Sequence, residues 1–260
     1  MAKRTPLIAG NWKMYTSADE CVALILALRE RIDAIEGVDT ALCPPFVHLE
    51  RARQALDGSR IRLGAQNVHW EAQGAYTGEV SPTMLKGLVD YAIIGHSERR
   101  QYFCETDETV NKRLKAALSH GLTPIFCIGE TLAEREAGKT NDVLSRQVRV
   151  GLDGVPWTSE CVVAYEPVWA IGTGLAATAE QANEAVGYIR ELFVDVAGAT
   201  IAAATRIQYG GSVKPDNAAE ILSQPEIDGA LVGGASLDAD AFAAIVRAAA
   251  AAYPADQRLG

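Results

Sequence analysis

Glu166 closes an apolar run, Cys161-Val162-Val163-Ala164-Tyr165, and opens the stretch Pro167-Val168-Trp169-Ala170-Ile171-Gly172-Thr173-Gly174. A carboxylate at the end of an apparently buried strand, followed by a glycine-rich loop, has the make-up of a general base under a flap. Four other short stretches carry comparable chemistry: Asn11 and Lys13 after Leu7-Ile8-Ala9-Gly10, His96 in IIGHSERR, YGGSV at 209–213 and LVGGASL at 231–237. Taken singly, each has an ordinary structural explanation. Together they make a coherent set. Gly210-Gly211-Ser212 and Gly233-Gly234-Ala235-Ser236 can present backbone N–H groups to a phosphate without side-chain obstruction, and a short helix after Gly234 adds its N-terminal dipole. His96 sits where a helix can begin, so the dipole disfavours its protonation and leaves a neutral imidazole able to donate to a carbonyl oxygen. Lys13 supplies positive charge for a developing oxyanion. A base, an electrophile, a cation and a phosphate cradle suit proton abstraction next to a carbonyl in a small sugar phosphate.

These residues can act together only if the chain brings them to one place. Each follows a short apolar run, and the runs number eight: Leu7 to Gly10, Thr40 to Cys43, Ile61 to Ala65, Tyr91 to Ile94, Pro124 to Ile128, Val162 to Tyr165, Ile207 to Gly210 and Ala230 to Gly233. Helical stretches alternate with them. Ser17-Ala18-Asp19-Glu20 is a capping box opening a helix to about Arg31, Ser81-Pro82 is an N-cap with proline at the first helical position, and Thr178 to Gln181 is a second capping box before a helix to about Val194. Further helices are expected over 46–56, 107–119, 131–150, 216–223 and 240–252. Strand–helix alternation gives right-handed crossovers and a parallel sheet, and strands buried on both faces read as continuous apolar runs. Eight such units in a chain of 260 residues fit a closed (β/α)8 barrel, whose C-terminal strand ends share one rim. The rival is a doubly wound open sheet, but Gly10-Asn11-Trp12-Lys13 lacks the glycine fingerprint that usually follows its first strand. No linker or break in composition divides the chain, so one domain over 1–260 is expected.

Composition narrows the partners. The net charge of −9 argues against nucleic acid and anionic membranes, and requires a locally positive site for an anionic substrate. No run approaches a membrane span or a signal-peptide core. Five dispersed cysteines without a CxxC pair fit a reducing cytoplasm, and four histidines without ligand spacing speak against structural zinc. The loop after Glu166 suits a lid that keeps water from an enediolate able to expel its β-phosphate. Pro167 stiffens its first hinge, Trp169 anchors it, and Gly172 and Gly174 permit close backbone approach to phosphate.

AGNWKM (9–14), GAQNV (64–68), GAYTGEVSP (74–82), IIGHSERR (93–100), CIGE (127–130), AYEPVWAIGTG (164–174), YGGSV and LVGGASL carry a resemblance to the triosephosphate isomerase family, from about residue 5 to about residue 250. In that family the pairing of a glutamate base with a neutral histidine is well known. The resemblance implies a TIM barrel interconverting dihydroxyacetone phosphate and D-glyceraldehyde 3-phosphate. It makes Glu166 the base, His96 the electrophile, and Asn11 and Lys13 the groups that bind substrate and stabilise the enediolate. It places Gly172, Ser212, Gly233 and Gly234 on the phosphate, residues 167–177 in the lid, Tyr209 and Ser212 in the loop that latches it, and Glu98 behind Lys13. It implies no cofactor and no metal, a cytoplasmic enzyme, and a homodimer in which loop 66–80 reaches the partner's site and Thr77 approaches Asn11 of the partner subunit. An isomerase of four-carbon ketose phosphates and a non-catalytic barrel binding a phosphometabolite are the alternatives. The sequence departs from the family pattern in a segment one residue shorter before strand 4 (84–95), in Cys104 where glycine is frequent, and in an extra tail at 253–260, expected to be mobile. Cys127 reads as a small buried residue supporting the site.

Overall fold

The structure, a computed structural model, describes residues 4–171 and 177–253. Eight strands form a closed parallel barrel in sequence order: β1 (Leu7–Asn11), β2 (Asp39–Cys43), β3 (Arg62–Ala65), β4 (Tyr91–Ile94), β5 (Thr123–Ile128), β6 (Val162–Tyr165), β7 (Arg206–Tyr209) and β8 (Gly229–Val232). β8 pairs with β1 through Leu7 opposite Gly229 and Gly10 opposite Val232, which closes the ring. Every strand sits within one residue of its expected place at each end.

Side chains alternate across each strand, and the barrel uses the two faces differently. Leu7, Ala9, Ala41, Cys43, Ile93, Ile125, Cys127, Val162, Ala164 and Leu231 form one buried cluster, the barrel interior. Ile8, Leu42, Ala92, Ile94, Phe126 and Val163 belong to the larger cluster beneath the helices. The alternation decides what the rim receives. Asn11 continues the inward series of Leu7 and Ala9, and Glu166 continues that of Val162 and Ala164. Both are therefore aimed over the mouth of the barrel, and both are buried. Gln208, on β7 and fully buried, donates to the carbonyls of Leu7 and Ala230 and so ties β7 to β8 and, beyond it, to β1 from within.

Helix starts follow the caps. Ser17, Thr106, Thr131 and Thr178 each accept an N3 backbone N–H in a reciprocal capping box. Ser81 caps a single turn, Pro82–Leu85. Three helical expectations need correction. The stretch 131–150 is two helices, Leu132–Glu136 and Thr140–Gly151, because Gly138 takes a positive φ of 69° and ends the first. The helix from Thr178 runs on to Ala197, where Gly198 with φ 86° turns the chain into a short helix, Ala199–Ala204, that was not expected. The helix expected over 216–223 is Ala218–Leu222. Tyr253, the first residue of the expected tail, is buried and its hydroxyl donates to the Ile227 carbonyl. Residues 254–260 lie outside the described part. No helix among the described residues is long and apolar enough to cross a membrane.

Candidate active site

The mouth of the barrel holds a cavity of about 280 Å³ lined by Asn11, Lys13, His96, Glu166, Gly210 to Lys214, Gly233 and Gly234. That is the low end of small-molecule pockets and matches a compact metabolite.

β1 delivers the first two residues. The chain turns sharply at Lys13, which takes a left-handed φ of 51°, and the Lys13 N–H donates to Asn11 Oδ1 at 3.1 Å. The turn sends the lysine side chain back over the cavity, where Nζ donates to Glu98 Oε1 at 2.6 Å. Glu98 thus lies against the Lys13 ammonium. The pair is partly exposed, so its contribution to stability is small and its effect is orientation.

β4 delivers His96. Gly95 turns the chain with φ 77°, and His96 then caps the helix Ser97–Tyr102. Its Nδ1 accepts the Glu98 backbone N–H at 3.2 Å. Nε2 lies 2.9 Å from Glu166 Oε1. Burial disfavours a charged ring, the Glu166 carboxylate favours one, and with the carboxylate on Nε2 the pKa runs above the ordinary histidine value. Geometry limits where protons can go. A proton on Nδ1 would point at the Glu98 N–H, so the ring carries its hydrogen on Nε2. The upward pull belongs chiefly to Glu166, with a smaller one from the Glu98 carboxylate. When the Glu166 carboxylate turns towards a substrate, burial and the helix N-terminus remain, and both favour neutral imidazole. Nitrogen NMR of a Glu166→Gln variant is therefore expected to show His96 singly protonated on Nε2 at neutral pH, with its pKa lower than in the wild type. A doubly protonated ring at neutral pH in that variant would contradict this account.

β6 delivers Glu166. Its carboxylate accepts from the Ser97 N–H at 3.0 Å and from Ser97 Oγ at 3.3 Å, besides facing His96. Burial pushes the Glu166 pKa up, but His96, the Ser97 N–H and the Cys127 thiol together bring it below the usual glutamate value of 4.5. Glu166 is consequently a carboxylate at neutral pH, the form a base requires. Its ionised state adds stability above pH 4.5 that is lost as pH falls through the lowered value. Ser97 carried no assignment in the sequence. The signal was its place as first residue of the helix behind His96, where a free N–H waits for an anion. Burial raises the Cys127 thiol far above its ordinary range, which agrees with a supporting residue and not a nucleophile.

β7 and β8 deliver the glycine loops. A Cβ on Gly210 would stand 2.9 Å from Glu166 Cγ, so glycine there makes room for the carboxylate. A Cβ on Gly234 would meet nothing within 4 Å, so packing does not require glycine at that position; the open space faces the cavity. The Ser212 carbonyl accepts from the Asn217 amide, which shapes the loop after β7. The short helix expected after Gly234 is a single 3-10 turn, Gly234–Leu237. Of the segment 167–177 expected to form a lid, residues 167–171 and 177 are described, with Val168–Ala170 in a 3-10 turn. Trp169 is buried, its Nε1 donates to Glu130 Oε1 at 2.9 Å, and the Arg135 guanidinium lies 4.2 Å from its ring centre. Glu130, fully buried, also accepts from the Tyr165 hydroxyl. Burial pushes the Tyr209 phenol up to about 12 in spite of the nearby Ala177 N–H. Gly172 and Gly174 lie outside the described residues. Among the described residues, no cluster of three or more His, Cys, Asp or Glu could hold a metal ion.

The constellation on this rim agrees with the comparison of the whole chain. The model of the family described as triosephosphate isomerase matches residues 6–249. The chain belongs to the triosephosphate isomerase family. Among its relatives, the triosephosphate isomerase of Moorella thermoacetica is 57% identical over 246 residues, which cover 94% of this chain and 98% of that one. Those of Carboxydothermus hydrogenoformans and Alkaliphilus metalliredigens are 55% and 54% identical, again over 94% of this chain. Within the triosephosphate isomerase family the motifs that carried the resemblance fall on the rim just described. AGNWKM ends β1, IIGHSERR joins β4 to its helix, and YGGSV and LVGGASL close β7 and β8.

Proposed function

We infer that this chain interconverts dihydroxyacetone phosphate and D-glyceraldehyde 3-phosphate, with Glu166 carrying the proton between C1 and C2. One observation carries the reading: the Glu166 carboxylate, the His96 imidazole and the Lys13 side chain line the same small cavity as the two glycine loops. The Glu166 carboxylate takes a proton from C1 of the ketose, and the electron pair moves to the carbonyl oxygen. The Nε2–H of His96 and the ammonium of Lys13 meet the charge that forms there. The hydroxyl hydrogen of O1 then moves to O2 by way of the His96 imidazole, O1 becomes the aldehyde oxygen, and the proton held by Glu166 is delivered to C2, so no group is lost and no oxidant is needed. Asn11 orients the substrate, and Gly172, Ser212, Gly233 and Gly234 hold its phosphate, largely through backbone N–H groups. Residues 167–177 close over the intermediate, with Tyr209 and Ser212 in the latching loop.

The same reading makes the protein a cytoplasmic homodimer. Residues 71–79 of the loop 66–80 are all exposed in a single chain, and Met14 and Tyr15, next to Lys13, are exposed as well. Covering them with a second copy removes that apolar surface from water and brings Thr77 towards Asn11 of the partner subunit. All five cysteines are unpaired, in keeping with a reducing compartment. A coupled assay with D-glyceraldehyde 3-phosphate, wild type beside Glu166→Gln, tests the reaction. Turnover in the first and its near-absence in the second is the expected result. A folded wild type without turnover would overturn it. Sedimentation at several concentrations tests the dimer.

A further inference from the structure

Glu166 owes its place to backbone as much as to its own side chain. Its N–H donates to the Ile128 carbonyl at 2.7 Å, and the Val168 N–H donates to the Glu130 carbonyl at 3.0 Å. The chain leaving β6 is thus laid along residues 128–130, and Gly129 sits between the two bonds. A Cβ built on Gly129 would fall 1.7 Å from the Glu166 carbonyl oxygen and 2.5 Å from its carbonyl carbon. Nothing separates the two backbones, so a displacement of Gly129 passes directly to Glu166.

Gly129 lies one residue beyond β5, where the ladder of the sheet has ended. Its N–H donates to Gln147 Oε1 at 2.8 Å, and Gln147 Nε2 donates to its carbonyl at 3.2 Å. Gln147 comes from the helix Thr140–Gly151 outside the barrel and is 4% exposed. One buried primary amide therefore holds both polar groups of one residue, in the place of a neighbouring strand.

We propose that Gln147 is a positioning residue for the reaction: it fixes Gly129 and, through Gly129, the backbone from which Glu166 reaches the substrate. The proposal rests on the reading of Glu166 as the base. Gln147 does not line the catalytic cavity; its effect is on the placement of the base. The side-chain type matters. A primary amide offers one acceptor and one donor in a plane. A carboxylate would keep the bond from the Gly129 N–H but set an oxygen against the Gly129 carbonyl. Methionine fills a similar volume and makes neither bond.

Gln147→Met and Gln147→Glu, measured beside wild type and Glu166→Gln, test this. The readouts are kcat, KM, inhibition by inorganic phosphate and Tm. Gln147→Met is expected to lose about tenfold or more in kcat, since small errors in position are costly. KM and phosphate inhibition should stay within about twofold, because Ser212, Gly233 and Gly234, three of the four residues assigned to the phosphate, are on the loops after β7 and β8. Gln147→Glu, which keeps one bond, should lose less than Gln147→Met. A folded Gln147→Met with wild-type kcat, whatever its Tm, overturns the proposal. So does a parallel loss of kcat and phosphate affinity, which would mean a general loosening of the rim. If the methionine variant does not fold, the same split between kcat and phosphate inhibition is read from Gln147→Glu. A wild type without turnover would overturn the reading of Glu166 and this proposal with it. A turning-over wild type matched by Gln147→Met overturns this proposal alone.

Discussion

Glu166→Asp is expected to lose about 100-fold in kcat with little change in KM, because misplacing a reacting group by about 1 Å costs roughly that much. The carboxylate of Glu166 is held on three sides, by the Ser97 N–H at 3.0 Å, the Ser97 hydroxyl at 3.3 Å and His96 Nε2 at 2.9 Å. None of the three can follow a carboxylate that retracts by a methylene. Ser97 and His96 are fixed by the helix Ser97–Tyr102, and the Glu166 backbone is pinned against Gly129. The glycine loops after β7 and β8 are untouched, so substrate should still bind. Steady-state kinetics on both substrates checks the split. An aspartate variant with unchanged kcat/KM would remove Glu166 from the role of base.

The second large effect is expected at Lys13. Lys13→Met keeps most of the aliphatic stem and removes the ammonium. Loss of one preorganised group at a developing oxyanion typically lowers kcat by about 100- to 1,000-fold. Here KM should rise as well, since the net charge of −9 leaves the body of the protein repelling an anionic substrate and Lys13 is a cation lining the cavity. Glu98→Gln, which leaves the ammonium in place but loosens its hold at 2.6 Å, should cost far less. Equal losses in the two variants would show that orientation, and not charge, is the contribution of Lys13.

How much of this was open to reading from the chain depends on the kind of signal. The eight strands were legible because burial on both faces writes a continuous apolar run. The rim followed, since each candidate residue stands directly after such a run. The helices were legible at their starts where a cap is written in the chain, as at Ser17, Ser81 and Thr178. Their ends were less so. Gly138 and Gly198 each stop a helix through a positive φ, and a glycine in a sequence does not declare which φ it takes. Contacts across the fold were the least legible. Nothing local marks Gln147 as the holder of Gly129, and the helix start that frees the Ser97 N–H does not say that Glu166 is the anion it meets, because those partners are 18 and 69 residues apart. The motifs CIGE and IIGHSERR contain one side of each contact, without the geometry that joins them.

Lys13 turns the chain in a left-handed conformation that costs a side-chain-bearing residue roughly 1–2 kcal/mol relative to an ordinary one. Glycine would take the same turn at ease. Lys13→Gly is therefore expected to melt at a higher temperature than wild type and to be inactive. Selection for heat tolerance and selection for turnover pull in opposite directions at this position. A library screened by survival of heating alone would drift towards glycine at 13, and one screened by growth on a three-carbon source would keep the strained lysine.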